Sequence, residues 1–185
     1  MTLKHFPLKL DEAQNFVRCH HRHSKPLKRH KFSIGCADRD LWCNSIPPLE
    51  HLKGVLTVDY CSSAWSGRRD HIEIRRLCTN GERNVASFLL GKAIQSCEAM
   101  GYKAIITYTR PGESGASLRA VGFQIQKWNY KYKNGDGLVQ WIHSKHSKDS
   151  GFTKKALDQI KECIKERHEW LEWTVGNTRE SIGIS

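Results

Sequence analysis

The segment that most constrains what this chain can fold into runs from residue 71 to 109. Residues 71–78 (HIEIRRLC) alternate as a strand does, and Thr79-Asn80-Gly81 is a turn signal. Residues 84–100 (NVASFLLGKAIQSCEAM) place Val85, Phe88, Leu89, Ala93, Ile94 and Cys97 at helical spacing, and Gly101 follows as a C-terminal cap. Residues 103–109 (KAIITYT) read as a second strand. A strand joined to the next through a long helix rather than a hairpin predicts a parallel crossover, and hence a sheet covered by helices.

The flanking segments extend that sheet. Residues 10–18 predict a short helix with Ala13, Phe16 and Val17 on one face and Asp11 or Glu12 serving its N-terminus. Residues 31–37 (KFSIGCA) and Gly54–Tyr60 (GVLTVDY) read as strands, and residues 38–53, with Pro47-Pro48, as an irregular surface insertion. Residues 113–120 predict a short helix closed by Gly122. Residues 123–131 and 138–143 predict a hairpin around Asn134-Gly135-Asp136-Gly137. Residues 153–173 carry Leu157, Ile160, Ile164 and Leu171 as a helical stripe. The expected class is α/β (mixed α+β), with residues 1–150 as one domain and 151–185 as a C-terminal helix and frayed tail.

Lys and Arg number 30 against 19 Asp and Glu, a formal charge of +11, which favours polyanionic partners: nucleic acid, phosphorylated cofactors or an acidic surface. The seven cysteines are scattered, odd in number and without a CxxC pair, so free thiols in a reduced, cytoplasmic setting are expected. No apolar run approaches a membrane span, and residues 2–10 are too short and mixed for a signal peptide.

Four features carry chemistry. A strand ending in a Gly-containing turn that opens a helix is a phosphate seat, because the free N–H groups of the first turn and the helix dipole favour an anion. Arg76 and Arg83 can add charge-assisted contacts there; the alternative is an ordinary strand-to-helix turn. Glu73, on the strand that feeds this turn, is a candidate base. The alternative is a sheet-face carboxylate paired with an arginine, for which Arg75 is read as turned to the opposite face. His20 and His21, in the run Cys19-His20-His21-Arg22-His23, offer acid/base groups of near-neutral pKa or a solvated basic segment; the spacing matches no standard zinc signature, and no metal is expected. Finally, Arg22, Lys25, Lys28 and Arg29, with Lys127 and Lys131 interleaved with Trp128, Tyr130 and Tyr132, suit phosphates and bases. The alternative is a strand with one aromatic face on the core.

Read in order, HIEIRRLC, TNGERN, VASFLLGKAIQSCEAMGY, KAIITYT, ESGASLRAV and Gly122-Phe123 resemble the core of the GNAT (GCN5-related N-acetyltransferase-like) acyltransferases. The segments RLCTNGERNVAS, ITYT and GASLRAVGF, with the early Cys-His-His-Arg-His, are also similar to a phage and prophage GNAT-like group. The resemblance covers most of residues 11–143. It implies a mixed, mostly antiparallel sheet with a splayed parallel pair, and acetyl-CoA or another acyl-CoA as cofactor, held by Arg76, Leu77, Cys78, Gly81, Arg83, Asn84 and Ser87. It implies direct attack of an amine on the thioester. Glu73, His20 or His21 would take the amine proton, and Tyr108 or Ser117 would supply one to the thiolate. Where many GNAT enzymes carry a tyrosine, four residues before the Gly of Gly-Phe, this chain has Leu118, and Arg83 stands where a second loop glycine is usual. The acceptor stays open between a nucleic-acid base, as for the phage Mom DNA-modification enzyme, an aminoacyl-tRNA, and a protein or small amine. A catalytically silent module that binds nucleic acid or a host protein is the reading from another class.

Overall fold

In the computed structural model, the residues described are 2–20, 27–39, 47–61, 69–131 and 137–144, with only the backbone described for 128–131. All lie in the first of two units, Met1–Asp149 and Ser150–Ser185, so the helix expected at 153–173 falls outside them. The elements are β1 (Leu3–Leu8), α1 (Leu10–His20), β2 (Phe32–Asp38), β3 (Gly54–Tyr60), β4 (His71–Thr79), α2 (Val85–Ala99), β5 (Ala104–Thr109), α3 (Ala116–Ala120), β6 (Gln124–Lys131) and β7 (Gly137–Ser144). They form a seven-stranded sheet in the order β1-β2-β3-β4-β5-β7-β6. Every neighbouring pair is antiparallel except β4 and β5, which are parallel across the α2 crossover.

Alternation along the strands divides the core in two. Leu56, Ile72, Ile74 and Ile105 face α2, whose Val85, Leu89, Leu90, Ala93 and Cys97 are all 0 % exposed. Ala37 and Val55, next in sequence to residues of that first cluster, face the other way and pack with Phe6, Leu8 and the Ala13, Phe16 and Val17 stripe of α1. Adjacent strand residues point to opposite faces, so α1 and α2 cover opposite sides of the sheet. Each fully buried Leu, Ile or Phe contributes about 1.5–3 kcal/mol by leaving water. Glu12 reaches back from α1 to accept the Lys9 N–H at 2.7 Å and so anchors the start of that helix.

Two departures from the sequence expectations matter. The chain begins with a strand, β1, whose short pattern LKHFPL is broken by Pro7. An edge strand tolerates proline because one of its sides needs no ladder donor, and β1 pairs only with β2. In addition, the stretch expected to be a surface insertion ends in Leu52 and Lys53, both buried at 5 % and 8 % exposure.

Candidate active site

The site arises from two irregularities of β4. Against β3 the register steps from Thr57–Arg76 to Val58–Ile74, leaving Arg75 as the extra residue of a bulge. The bulge reverses the alternation: Ile72 and Ile74 face α2, whereas after it Leu77 packs on the α2 side and Cys78 belongs to the α1 core. Against β5 the parallel ladder holds only for His71–Glu73 with Ala104–Ile106. Beyond it the hydroxyl of Thr107 donates to the Ile74 carbonyl at 3.1 Å, and the strands part. The opening is a cleft of about 450 Å³ with Glu73 and Tyr108 on its walls, three arginines (Arg75, Arg76, Arg110), and Leu77, Leu90, Leu118 and Leu138 as its apolar lining.

At one end of β4 lies the turn singled out in the sequence. Gly81 has φ +95°, a left-handed conformation that suits glycine, and a side chain there would meet nothing within 4 Å, so backbone conformation rather than space selects the residue. Asn84 is the N-cap of α2 with φ 66°, and its side chain makes no capping hydrogen bond. The 15-residue helix α2 therefore begins without a side-chain cap, leaving its first-turn N–H groups and dipole to an anion. Arg83 and Asn84 are exposed, and the Ser87 hydroxyl donates to the Asn84 carbonyl at 3.1 Å. Arg76 and Leu77 line the cleft. The Arg76 guanidinium donates to the Arg75 carbonyl at 2.7 Å, and burial, then the charge of Arg75, lowers its pKa. Cys78 does not share that placement. Its thiol is turned into the α1 core, and burial pushes its pKa up to about 11.

Of the acid/base candidates, the fold brings Glu73 and Tyr108 to one cleft. Glu73 is 6 % exposed and accepts from Arg75 at 3.0 Å. This corrects the expectation that Arg75 points away: residues two apart in a strand share a face, and the bulge keeps them together. The Tyr108 phenol oxygen accepts from the Gln140 amide at 2.9 Å, which stabilises negative charge developing there. Ser117 is not among the cleft-lining residues; its neighbour Leu118, 6 % exposed, is. His20 ends α1, exposed, its ring 4.2 Å from that of Phe16, and it is likewise not on the cleft wall. His21, Arg22 and Lys25 lie outside the described residues. Among the described residues, no group of three or more His, Cys, Asp or Glu is placed to hold a metal ion.

No family model matches the sequence, and no curated protein sequence matches it. Solved structures do. An N-acetyltransferase from Staphylococcus aureus Mu50 superposes with a TM-score of 0.57 at 13 % identity, over 78 % of this chain and 99 % of that one. The fold is that of the GNAT acetyltransferases. A Bacillus subtilis acetyltransferase in complex with CoA gives 0.54 at 16 % identity, over 77 % and 99 %. The ribosomal-protein-S18-alanine N-acetyltransferase of Escherichia coli gives 0.56 at 10 %, over 77 % and 94 %.

Within this GNAT fold, one arginine of the cleft wall and one buried carboxylate beside Glu73 escaped the sequence reading. Arg110 follows β5 directly, and its N–H donates to Glu113 at 3.0 Å. Asp59, 6 % exposed, is the cross-strand partner of Glu73 and binds Arg29 at 3.2 Å. The sequence held one signal for the bulge: Arg75-Arg76 interrupts an otherwise regular alternation. Of the basic residues, Lys28, Arg29 and Lys127 are exposed, and Lys131 lies on β6 with its side chain outside the description. Arg29 is held to β3 while Lys127 sits on β6, so β4, β5 and β7 separate them by roughly 20 Å. They flank the cleft from two sides and do not form one patch.

Proposed function

We propose that the chain is an N-acyltransferase that takes acetyl-CoA, or another acyl-CoA, in the β4–β5 cleft and passes the acyl group directly to an amine. The observation that carries this is the splay of the one parallel pair. Past Ile74, β4 turns toward the cleft a strand edge that β5 no longer covers, and an extended pantetheine arm carries amides able to pair with such an edge. Its pyrophosphate would then reach the uncapped start of α2, with Arg76 and Arg83 adding charge. The CoA bound to the Bacillus subtilis neighbour supports the same choice of cofactor.

Glu73 is the proposed base: as the amine nitrogen bonds to the thioester carbonyl carbon, its proton passes to Glu73 directly or through one water. When the C–S bond breaks, the thiolate takes the proton of Tyr108, the role that Leu118 cannot fill. For the acceptor, the charge of +11 and the exposed Lys28, Arg29 and Lys127 on both sides of the cleft support an amine carried by nucleic acid. A base in DNA is the first choice, in line with the resemblance to phage GNAT-like proteins and with a phage or prophage origin; an aminoacyl-tRNA is the alternative. Leu118 at the usual tyrosine position favours one other reading, a silent module that binds nucleic acid or a host protein.

Calorimetry with acetyl-CoA separates the two: the enzyme reading requires saturable binding, and folded protein that gives no heat at millimolar ligand overturns it. Incubation with acetyl-CoA and DNA or charged tRNA, followed by mass spectrometry of the nucleic acid, then tests the acceptor. An added acetyl group is expected, and its absence from both, together with no gel shift at low salt, removes nucleic acid as the acceptor.

A further inference from the structure

The cofactor loop of this chain contains a carboxylate, Glu82, close to where an anion would sit. Both of its oxygens are engaged. Oε2 accepts from Lys53 Nζ at 2.7 Å and Oε1 from the Asn80 side chain at 2.7 Å, while the Glu82 N–H donates to Asn80 Oδ1 at 3.1 Å. Lys53 stands 29 residues earlier, immediately before β3, and its side chain is only 10 % exposed. The same ammonium binds Asp38, at the end of β2, at 2.8 Å. Its main chain holds the loop as well: the Lys53 carbonyl accepts the Asn80 N–H at 2.9 Å, and its own N–H donates to Cys36 at 2.9 Å. The next residue, Gly54, lies so close to the start of α2 that a Cβ there would stand 2.9 Å from Val85 Cγ1 and 3.0 Å from the Cys78 carbonyl. Lys53 is thus built against both ends of the turn.

We propose that Lys53 is a positioning residue of the cofactor loop, whose ammonium neutralises Glu82 and draws that carboxylate down between Lys53 and Asn80, so that the loop accepts the pyrophosphate of an acyl-CoA. This rests on the reading of the loop as the pyrophosphate seat. The physical case is one of charge. A carboxylate within a few ångströms of a pyrophosphate repels it, and a buried lysine that lost its carboxylates would be equally costly, so each group stabilises the other. Burial opposes the charge on Lys53, but the hydrogen bonds to Asp38 and Glu82 outweigh it and raise its pKa. Lys53, then Asn80, hold the Glu82 carboxyl below the ordinary range. Both shifts favour the charged forms of Lys53 and Glu82.

The test is calorimetry with coenzyme A on the wild type, K53M, E82Q and the K53M/E82Q double variant, each first shown to melt cooperatively. Lys53→Met is expected to weaken coenzyme A by about tenfold or more, and Glu82→Gln, which removes the repelling charge, to tighten it by about two- to threefold. The double variant should return to within about threefold of wild type, because the repulsion that Lys53 screens is gone. That recovery is the decisive readout: a lysine with a merely structural role would leave the double variant as weak as K53M or weaker. Unchanged binding in K53M, or no recovery in the double variant, overturns the proposal while leaving the cofactor site standing. If K53M does not fold, E82Q decides, and a tenfold loss there overturns the proposal. Wild type that binds no coenzyme A removes the cofactor site itself, and the proposal with it.

Discussion

The two halves of β4 share one strand and serve opposite ends. In the first half, Ile72 and Glu73 are paired to β3 on one side and β5 on the other, and both are buried. In the second half, after the Arg75 bulge, the strand keeps β3 but has left β5, and Arg75, Arg76 and Leu77 are half-buried along a cleft. The first half is where packing is spent on stability. The second leaves strand edge and arginines facing the cleft, and its own stability comes from β3 and α2. Glu73 stands at the border, buried like the first half and open to the cleft like the second. As the proposed base, Glu73 would gain from that position, since the rigid half holds it and the open half exposes it to the cleft.

This contrast can be broken at four points. Ile72→Ala, in the rigid half, removes a side chain that is 0 % exposed and should cost about 2–5 kcal/mol of stability by thermal or urea unfolding, while the folded fraction still binds coenzyme A. Loss of binding in folded protein would show that the halves are not separable. Glu73→Gln, at the border, is expected to lower turnover about a hundredfold or more with coenzyme A affinity unchanged; parallel losses in both would make Glu73 a binding group instead. Arg76→Ala, in the open half, should weaken coenzyme A about tenfold, and the loss should shrink as salt is raised, because the contact is ionic. A salt-independent loss would assign Arg76 to packing.

The smallest effect belongs to the closed end of the β4–β5 pair. There Asp70 accepts from His71 at 2.7 Å and faces Lys103 at 3.7 Å. The bond from His71 holds the Asp70 carboxyl below its ordinary value of 3.8. A depressed pKa in the folded state means that the pair stabilises above that value and ceases to do so as pH falls through the folded pKa. Asp70→Asn should therefore lower the melting midpoint slightly at neutral pH, and the two curves should meet in acid. A difference that persists in acid would point to packing instead of charge.

What was legible in the sequence was whatever a short window can express. Strands β2 to β7 and helices α1 to α3 came from alternation, helical spacing and turn residues, and Gly81 and Gly101 marked turns because each has positive φ. The strand–turn–helix arrangement around residues 78–84 was visible for the same reason. The pairing of Glu73 with Arg75 was also local, yet misread, because strand parity puts residues two apart on one face. Strand β1 was hidden because Pro7 breaks a pattern that only an edge position permits. Tertiary structure alone decided the rest. The splay depends on where β5 leaves β4, and the Lys53–Glu82 pair joins positions 29 apart. The placing of His20 against Phe16, away from the cleft wall, follows from which face of the sheet α1 covers. These are relations between segments distant in sequence, set by strand pairing and by the burial of two apolar faces at once, and no periodicity within a single segment encodes them.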